Sequence, residues 1–163
     1  MSDPGTARLP SSSELAAWRA FLRAHARITR WLEAELITEQ RLSLAAYDVL
    51  VQLAESPERQ LRMTELAEAV LLSRSGVTRL VDRLERAGLV CRERADGDGR
   101  GVVAVLTDRG LDRLQSAADI HLSGISRHFV SMLGQSELDS LGRTCSLLAD
   151  GELPVASNRR AQA

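Results

Sequence analysis

Six arginines in the middle of this 163-residue chain are the side chains whose types and spacing most clearly suggest a binding surface. They lie between Arg74 and Arg94, where three acidic residues accompany them, although the whole chain has a formal net charge of −1. An arginine side chain can donate two hydrogen bonds to a guanine edge or bind a phosphate oxygen. A local excess of arginine in a nearly neutral protein therefore indicates a surface for nucleic acid.

The helix predicted to carry this surface begins after Ser73 and ends before Gly88, a residue type that often follows a helix. Its core-facing residues, at the i, i+3, i+4, i+7 spacing, are Val77, Leu80, Val81 and Leu84. The residues predicted to face outward and contact DNA are Arg74, Ser75, Thr78 and Arg79. Alone, this pattern also fits an ordinary solvated helix. The short helix and three-residue turn before it favour a helix-turn-helix, which docks its second helix in a major groove.

The stretch RADGDGRG, Arg94–Gly101, lies between two apolar runs that predict the strands of a hairpin. Its glycines allow the backbone to pass close to another molecule. One interpretation is a DNA-binding arm that carries Arg94 and Arg100 toward a groove. The other is a solvated turn, in which Arg100 has no role.

The remaining pattern predicts a mainly α protein of the α+β class with a small β-hairpin. The predicted elements are a helix within 13–40, a buried helix Leu44–Glu55, an extended Leu61–Met63, a helix capped by Thr64 and ending near Val70, the helix after Ser73, the hairpin, a helix capped by Thr107 that carries Phe129 and Met132, and a helix Ser136–Ala149. We expect one domain over 13–150, with disordered tails at 1–12 and 151–163.

The outer helices, within 13–40 and 107–150, carry more apolar surface than the central segment 43–106 can cover. Their apolar residues recur at helical spacing over Leu15–Leu36 and Leu138–Leu148. Uncovered apolar stripes on helices are typical of subunit interfaces. We therefore expect a homodimer formed by these helices.

Two stretches resemble the MarR family of winged helix-turn-helix repressors. The first is LSRSGVTRLVDRLERAGLVCR, Leu72–Arg92, and the second is DGRGVVAVLTDRG, Asp98–Gly110. The second is similar to the family's wing pattern of Asp-x-Arg, five residues and Leu-Thr. Flanking helices in the right order extend the resemblance over most of 13–149. It implies a winged helix-turn-helix fold and binding of double-stranded DNA at a palindromic operator.

The resemblance also assigns roles to the hairpin tip. It implies that Arg100 enters the minor groove and that Asp98 orients it. The chain departs from the family pattern at Gly76, where many members carry a hydroxyl residue, and at Asp96, an additional acidic residue in the wing.

Many family members release DNA when a small phenolic or anionic molecule binds between the dimerisation helices and the winged domain. The residues of this chain that could line such a pocket are Trp18, His25, Tyr47 and His128. Trp18 also has a simpler interpretation as a packing residue, and His25 as a core or interface residue. His121 and His128 are seven residues apart, roughly 10 Å along a helix, which is too far for one metal ion. We expect no metal and no cofactor, and no pattern around Cys91 or Cys145 assigns a redox role to either cysteine.

The leading hypothesis is a homodimeric transcriptional repressor that a small-molecule effector releases from its operator. The alternative is a helical protein–protein interaction module that has lost DNA reading. An enzyme is disfavoured, because the sequence has no nucleophile-elbow motif, phosphate-binding loop or Cys/His pair at a recognisable spacing. Without an apolar run long enough to span a membrane and without a secretory segment, we expect a cytoplasmic protein with no membrane partner.

Overall fold

The fold is described from a computed structural model, for residues 8–70, 72–95 and 101–150. Its helices are α1 (Ser12–Gln40), α2 (Leu44–Glu55), α3 (Met63–Ala69), α4 (Arg74–Arg86), α5 (Asp108–His128) and α6 (Gln135–Ala149). Its strands are β1 (Gln60–Arg62), β2 (Val90–Arg94) and β3 (Val102–Leu106). Short 3-10 turns occupy Pro57–Arg59 and Val130–Met132. The predicted fold class, mainly α with a small β wing, is confirmed.

The core forms around α2, as its nearly continuous apolar surface predicts. Val49, Leu50 and Leu53 are fully buried, and Leu36 of α1 packs into the same cluster. The buried face of α4 belongs to the same cluster, so that the predicted helix-turn-helix and the long outer helices α1 and α5 share one core. Burying each of these side chains stabilises the folded state by about 1.5–3 kcal/mol relative to leaving it exposed to water.

The three strands form one antiparallel sheet in the order β1–β3–β2. The segment predicted only as extended is β1, and it pairs with β3 so that Leu61 lies opposite Ala104. On the other side of β3, Arg92 of β2 lies opposite the same Ala104. Strand β3 is therefore the central strand and is paired on both sides. We call β2, β3 and their connection the wing.

Most predicted helix boundaries are confirmed by their caps. The Oγ atoms of Ser43, Ser73 and Thr107 accept backbone N–H bonds from the first turns of α2, α4 and α5. Ser11 caps α1 in the same way. Gly88 ends α4 with a φ of 71°, a left-handed conformation that glycine adopts without steric penalty.

Two predicted boundaries are wrong. Thr64 does not cap α3, because the helix already begins at Met63 and the Glu65 carboxylate accepts the Arg62 N–H at 3.0 Å. The long helix α5 ends at His128, so Phe129 and Met132 lie beyond it. Phe129 has φ −130° and ψ −63°, which are not helical values.

Helix α5 buries small residues, and at one of them it packs closely against α1. The buried positions of α5 are Gly110, Ala117 and Gly124, spaced seven residues apart, while Leu122 is 60% exposed. A Cβ atom on Gly124 would lie 2.8 Å from Cδ2 of Leu32 on α1. Among the described residues, the longest helices do not carry a stretch apolar enough to cross a membrane.

Candidate nucleic-acid interface

Helix α4 has the two faces that its sequence predicts. The four core-facing residues Val77, Leu80, Val81 and Leu84 are at most 4% exposed. The side chains of Arg74, Ser75, Thr78 and Arg79 are all exposed on the opposite face. Burial of one face fixes the rotation of α4 about its axis. The exposed face is consequently presented to solvent as a defined surface.

The start of α4 is built around the Ser73 cap. Ser73 Oγ accepts the Gly76 N–H at 3.1 Å and lies 3.3 Å from Ser75 Oγ. A Cβ atom at Gly76 would lie 3.1 Å from the same Ser73 Oγ, a tight contact. The glycine that departs from the family pattern thus leaves room for the cap in its observed position.

The exposed arginines of α4 are available to a ligand. Within the described parts of the chain, the guanidinium groups of Arg74 and Arg79 bond to no other side chain. The Thr78 hydroxyl donates to the Arg74 carbonyl at 2.9 Å, so its oxygen can still accept a bond from a base amino group. The face therefore offers two cationic donors and one acceptor to DNA.

The acidic residues of α4 are engaged by an arginine of the wing, which sequence reasoning missed. Arg92 Nη2 lies 2.7 Å from Asp82 Oδ1, and its Nη1 lies 2.6 Å from Glu85 Oε2. The Arg92 backbone N–H also donates to Glu85 Oε1 at 3.1 Å. The two carboxylates are spaced i, i+3 and so lie on one face of α4, and the alternation of side chains along β2 turns Arg92 toward them. The spacing of the two acidic residues is the sequence signal that could have indicated this ion pair.

The wing extends from the sheet beside α4. Its last described pair joins the Ala95 N–H to the Gly101 carbonyl at 2.9 Å. Arg94 is exposed at the end of β2, opposite Val102. The predicted tip residues Asp98 and Arg100, with Asp96, lie outside the described residues.

Arg62 of β1 lies at the base of the wing, and no pattern in the sequence singles it out. A Cβ atom on Gly101 would lie 2.7 Å from Arg62 Nη1. The guanidinium therefore occupies the space that the glycine leaves open. Arg62 adds a cationic side chain to the wing base beside Arg94.

The four predicted effector residues lie in three different places. Trp18 and His25 flank Phe21 on the exposed first half of α1, at ring-centroid distances of 6.0 and 6.4 Å from Phe21. Tyr47 of α2 is buried and packs on His121 of α5 at 4.4 Å.

His128 lies near the end of α5, with its ring centroid 4.7 Å from that of Trp31 and its Nε2 atom 2.7 Å from Glu35 Oε1. This contact joins the last turn of α5 to α1. The Arg127 guanidinium reaches the same Glu35 oxygen at 2.6 Å. The cluster accounts for His128 as a packing and bonding residue between two helices.

The contact between α2 and α5 contains a polar atom without a partner. The Nδ1 atom of His121 is buried and forms no hydrogen bond within the described residues. Burial lowers the pKa of His121, an effect that nearby Asp48 opposes, and burial is also the main cause of the raised pKa of Tyr47. Sequence reasoning used His121 only as a possible metal ligand.

The described residues bear on two further kinds of site, a metal centre and a reactive cysteine. They contain no group of three His, Cys, Asp or Glu side chains placed to hold a metal ion. Burial and neighbouring Glu93 raise the pKa of the Cys91 thiol, which disfavours the reactive thiolate. Cys145 is a free, half-buried cysteine on α6.

Comparison with known proteins agrees with the geometry. The MarR family matches residues 42–101 of the chain. YkoM of Bacillus subtilis, an uncharacterized HTH-type transcriptional regulator, is 38% identical over 80 residues, covering 49% of this chain and 51% of YkoM. YetL of the same species, an HTH-type transcriptional repressor, is 33% identical over 85 residues, covering 52% of this chain and 51% of YetL. The chain thus spans about half the length of these two relatives.

The structural similarity covers nearly the whole fold. Sco3205, a MarR family transcriptional regulator from Streptomyces coelicolor solved in complex with DNA, is similar with a TM-score of 0.84 and 34% identity. The similarity covers 93% of this chain and 96% of Sco3205. Together with the two-faced α4 and the wing beside it, these matches show that the chain belongs to the MarR family of winged helix-turn-helix, DNA-binding transcriptional regulators.

Proposed function

We propose that the protein is a homodimeric repressor that binds a palindromic operator and leaves it when a small molecule binds. The observation that carries the DNA-reading part is the exposed face of α4, with Arg74 and Arg79 unpaired among the described residues. A rigid, cationic helix face of this kind fits the major groove, where arginine distinguishes guanine from other bases. Sco3205, which has the same fold, was solved with DNA.

Within α4 the two arginines have different proposed roles. Arg79 lies one turn into the helix, where a side chain reaches base edges. Arg74 lies at the helix N-terminus, where a phosphate also meets free backbone N–H groups. Arg79 therefore contributes to specificity, and Arg74 to affinity for any sequence. In the wing, Arg94 and Arg100 contact the adjacent minor groove, and Asp98 orients Arg100.

The proposal of a dimer rests on the exposed outer helices. Nearly every side chain in residues 12–27 of α1 is exposed, including Trp18, Phe21 and Leu22. Helix α6 has no buried residue, and its Leu147 and Leu148 are 78% and 71% exposed. A 15-residue helix that buries no side chain fully is marginal in water, so we propose that α6 packs on a partner surface.

Charge complementarity supports a second copy of the chain as that partner. Between residues 15 and 32, α1 carries Arg19, Arg23, Arg27 and Arg30 and no acidic residue. Residues 135–150 contain the acidic Glu137, Asp139 and Asp150 and one arginine. Docking α6 of one protomer on α1 of the other covers both apolar stripes and pairs opposite charges. Two copies of α4 then face DNA related by a twofold axis, which requires a palindromic site.

Repression follows from steric occlusion of a promoter, and relatedness to YetL, a named repressor, supports it. For the effector, the buried contact of Tyr47 with His121 is the best-supported part of the predicted site. A phenolic or carboxylate ligand could bond there to the Tyr47 hydroxyl and to His121 Nδ1, which has no hydrogen bond within the described residues. Trp18, His25 and His128 extend the proposed site only if the partner protomer brings them nearer.

One experiment tests the main proposal. The full chain is used to select duplexes from a random-sequence library, and the selected duplex is compared with a scrambled duplex of equal length at several salt concentrations. A twofold-symmetric selected sequence, bound by two chains with salt-dependent affinity, supports the proposal. Enrichment of no sequence, together with a monomer at micromolar concentration by sedimentation, would contradict it and favour a protein-interaction module.

A further inference from the structure

Arg92 forms more contacts between the wing and α4 than a single ion pair would provide. Besides its two carboxylate partners on α4, its Nη2 donates to the Thr78 carbonyl at 3.2 Å. The contacted positions 78, 82 and 85 lie on successive turns of the helix. The side chain is only 23% exposed. Planar guanidinium donors directed at three acceptors fix orientation as well as distance.

The Thr78 contact reaches the face of α4 that is proposed to read DNA. Thr78 is one of the four exposed residues of this face, and it directly precedes Arg79 in the chain. A bond to the Thr78 main-chain carbonyl acts on the helix backbone itself, whereas a carboxylate contact can be absorbed by side-chain rotation. Through this bond, β2 holds the helix at the turn from which Arg79 projects.

The same arginine controls where two negative charges point. Without it, Asp82 and Glu85 would be free to turn toward the phosphates that approach α4. In the structure both carboxylates face the wing strand and are bonded there. The exposed cationic face of α4 thus depends on a residue that is not itself part of that face.

We propose that Arg92 is a positioning residue for DNA recognition. It fixes α4 relative to the wing, so that the major-groove and minor-groove elements keep one relative orientation. Because it acts through Thr78, Asp82 and Glu85 and not on DNA, its removal should impair discrimination between sequences more than general attraction to DNA. This inference rests on the proposed function of α4.

The test uses the full chain, the duplex selected by the parent protein, and a scrambled duplex of equal length. Two variants are compared: Arg92→Lys, which keeps the charge, and Arg92→Met combined with Asp82→Asn and Glu85→Gln, which removes all three charges. We expect each to reduce the affinity ratio of selected to scrambled DNA by about tenfold, comparable to the loss of one well-aligned base contact. The salt dependence of the triple variant should match that of the parent, because no phosphate contact is lost.

Arg127→Met is the control, because it also breaks an arginine–carboxylate pair but between α5 and α1. It should keep the parent's ratio. All ratios are measured below the thermal transition of each variant, so that a loss of stability alone leaves them unchanged.

Three results would overturn the inference. If the triple variant keeps the parent's affinity ratio of selected to scrambled DNA, Arg92 serves only to neutralise Asp82 and Glu85. If both variants keep that ratio, Arg92 has only a structural role. A fall of about 0.9 in the salt slope of the triple variant would make it a phosphate ligand. Arg79→Ala on the same duplexes separates the hypotheses: an unchanged ratio there contradicts the proposed role of α4 itself.

Discussion

Gly110→Ala is expected to be strongly destabilising, although alanine normally favours a helix. Gly110 lies in the first turn of α5, where the helix meets the end of α4 and the start of β2. A Cβ atom there would lie 2.0 Å from the Leu89 carbonyl oxygen and 2.7 Å from Leu106 Cδ1. Ordinary contacts between such atoms lie near 3.5 Å, so the two segments must separate by roughly 1.5 Å. Since the closer atom belongs to the backbone, side-chain rotation cannot relieve the clash.

The separation would also disturb hydrogen bonds at this junction. The Leu89 carbonyl accepts from the Thr107 N–H at 3.2 Å, and the Thr107 hydroxyl donates to the Gly88 carbonyl at 2.8 Å. Overpacking costs about 1–3 kcal/mol and each lost hydrogen bond about 1 kcal/mol, against a helix-propensity gain of about 1 kcal/mol. The expected loss is about 2–4 kcal/mol in the free energy of unfolding.

Thermal unfolding followed by circular dichroism measures this loss, at one protein concentration because a dimer's transition depends on concentration. A chain of this length should lose roughly 5–15 °C in Tm. Gly142→Ala is the matched control: it makes the same substitution within α6, where no described heavy atom lies within 4 Å of the added Cβ. It should leave Tm unchanged or raise it. If Gly110→Ala unfolded within about 1 °C of the parent, the close packing of α5 on Leu89 would be refuted.

Four further predictions concern function, packing and pH. Arg79→Ala should lower binding of the selected duplex by roughly 5- to 150-fold more than binding of scrambled DNA, measured by fluorescence anisotropy; equal losses would reassign Arg79 to the backbone. Arg100→Ala should weaken binding to duplexes with A·T-rich flanks while leaving Tm unchanged, and parent-like binding there would make the hairpin tip a simple turn. Gly124→Ala should lower Tm by a few degrees, because its Cβ would lie 2.6 Å from Glu35 Oε2 and 2.8 Å from Leu32 Cδ2; an unchanged Tm would show that α1 and α5 can separate without loss. Because burial lowers the pKa of His121 below 6.5, the unfolded chain binds its proton first, so stability is complete above pH 6.5 and falls as the pH drops below it. His121→Phe should therefore reduce the fall in Tm between pH 7.5 and 5.5, and an identical fall in both proteins would contradict this.

Local patterns in the sequence predict the helices, their order and the two faces of α4. Helical spacing of Val77, Leu80, Val81 and Leu84 was sufficient because a regular helix converts spacing directly into a face. The caps Ser43, Ser73 and Thr107 were readable for a similar reason, since a cap bonds to backbone atoms only two or three residues away. The resemblance to the MarR family depends on equally local patterns, one over Leu72–Arg92 and one over Asp98–Gly110.

Contacts between residues distant in sequence depend on how the elements pack in three dimensions. The ion pairs of Arg92 depend on the orientation of β2 over α4, and the place of Arg62 beside Gly101 depends on β1 joining the sheet. Residue type alone suggests the effector candidates, but in the fold Tyr47 contacts His121 whereas Trp18 and His25 lie on an exposed part of α1. Periodicity places a residue on a face of its own helix, whereas the neighbour across that face is set by the packing angle and separation of two elements. Those depend on the combined shape of both surfaces, as at the glycines of α5.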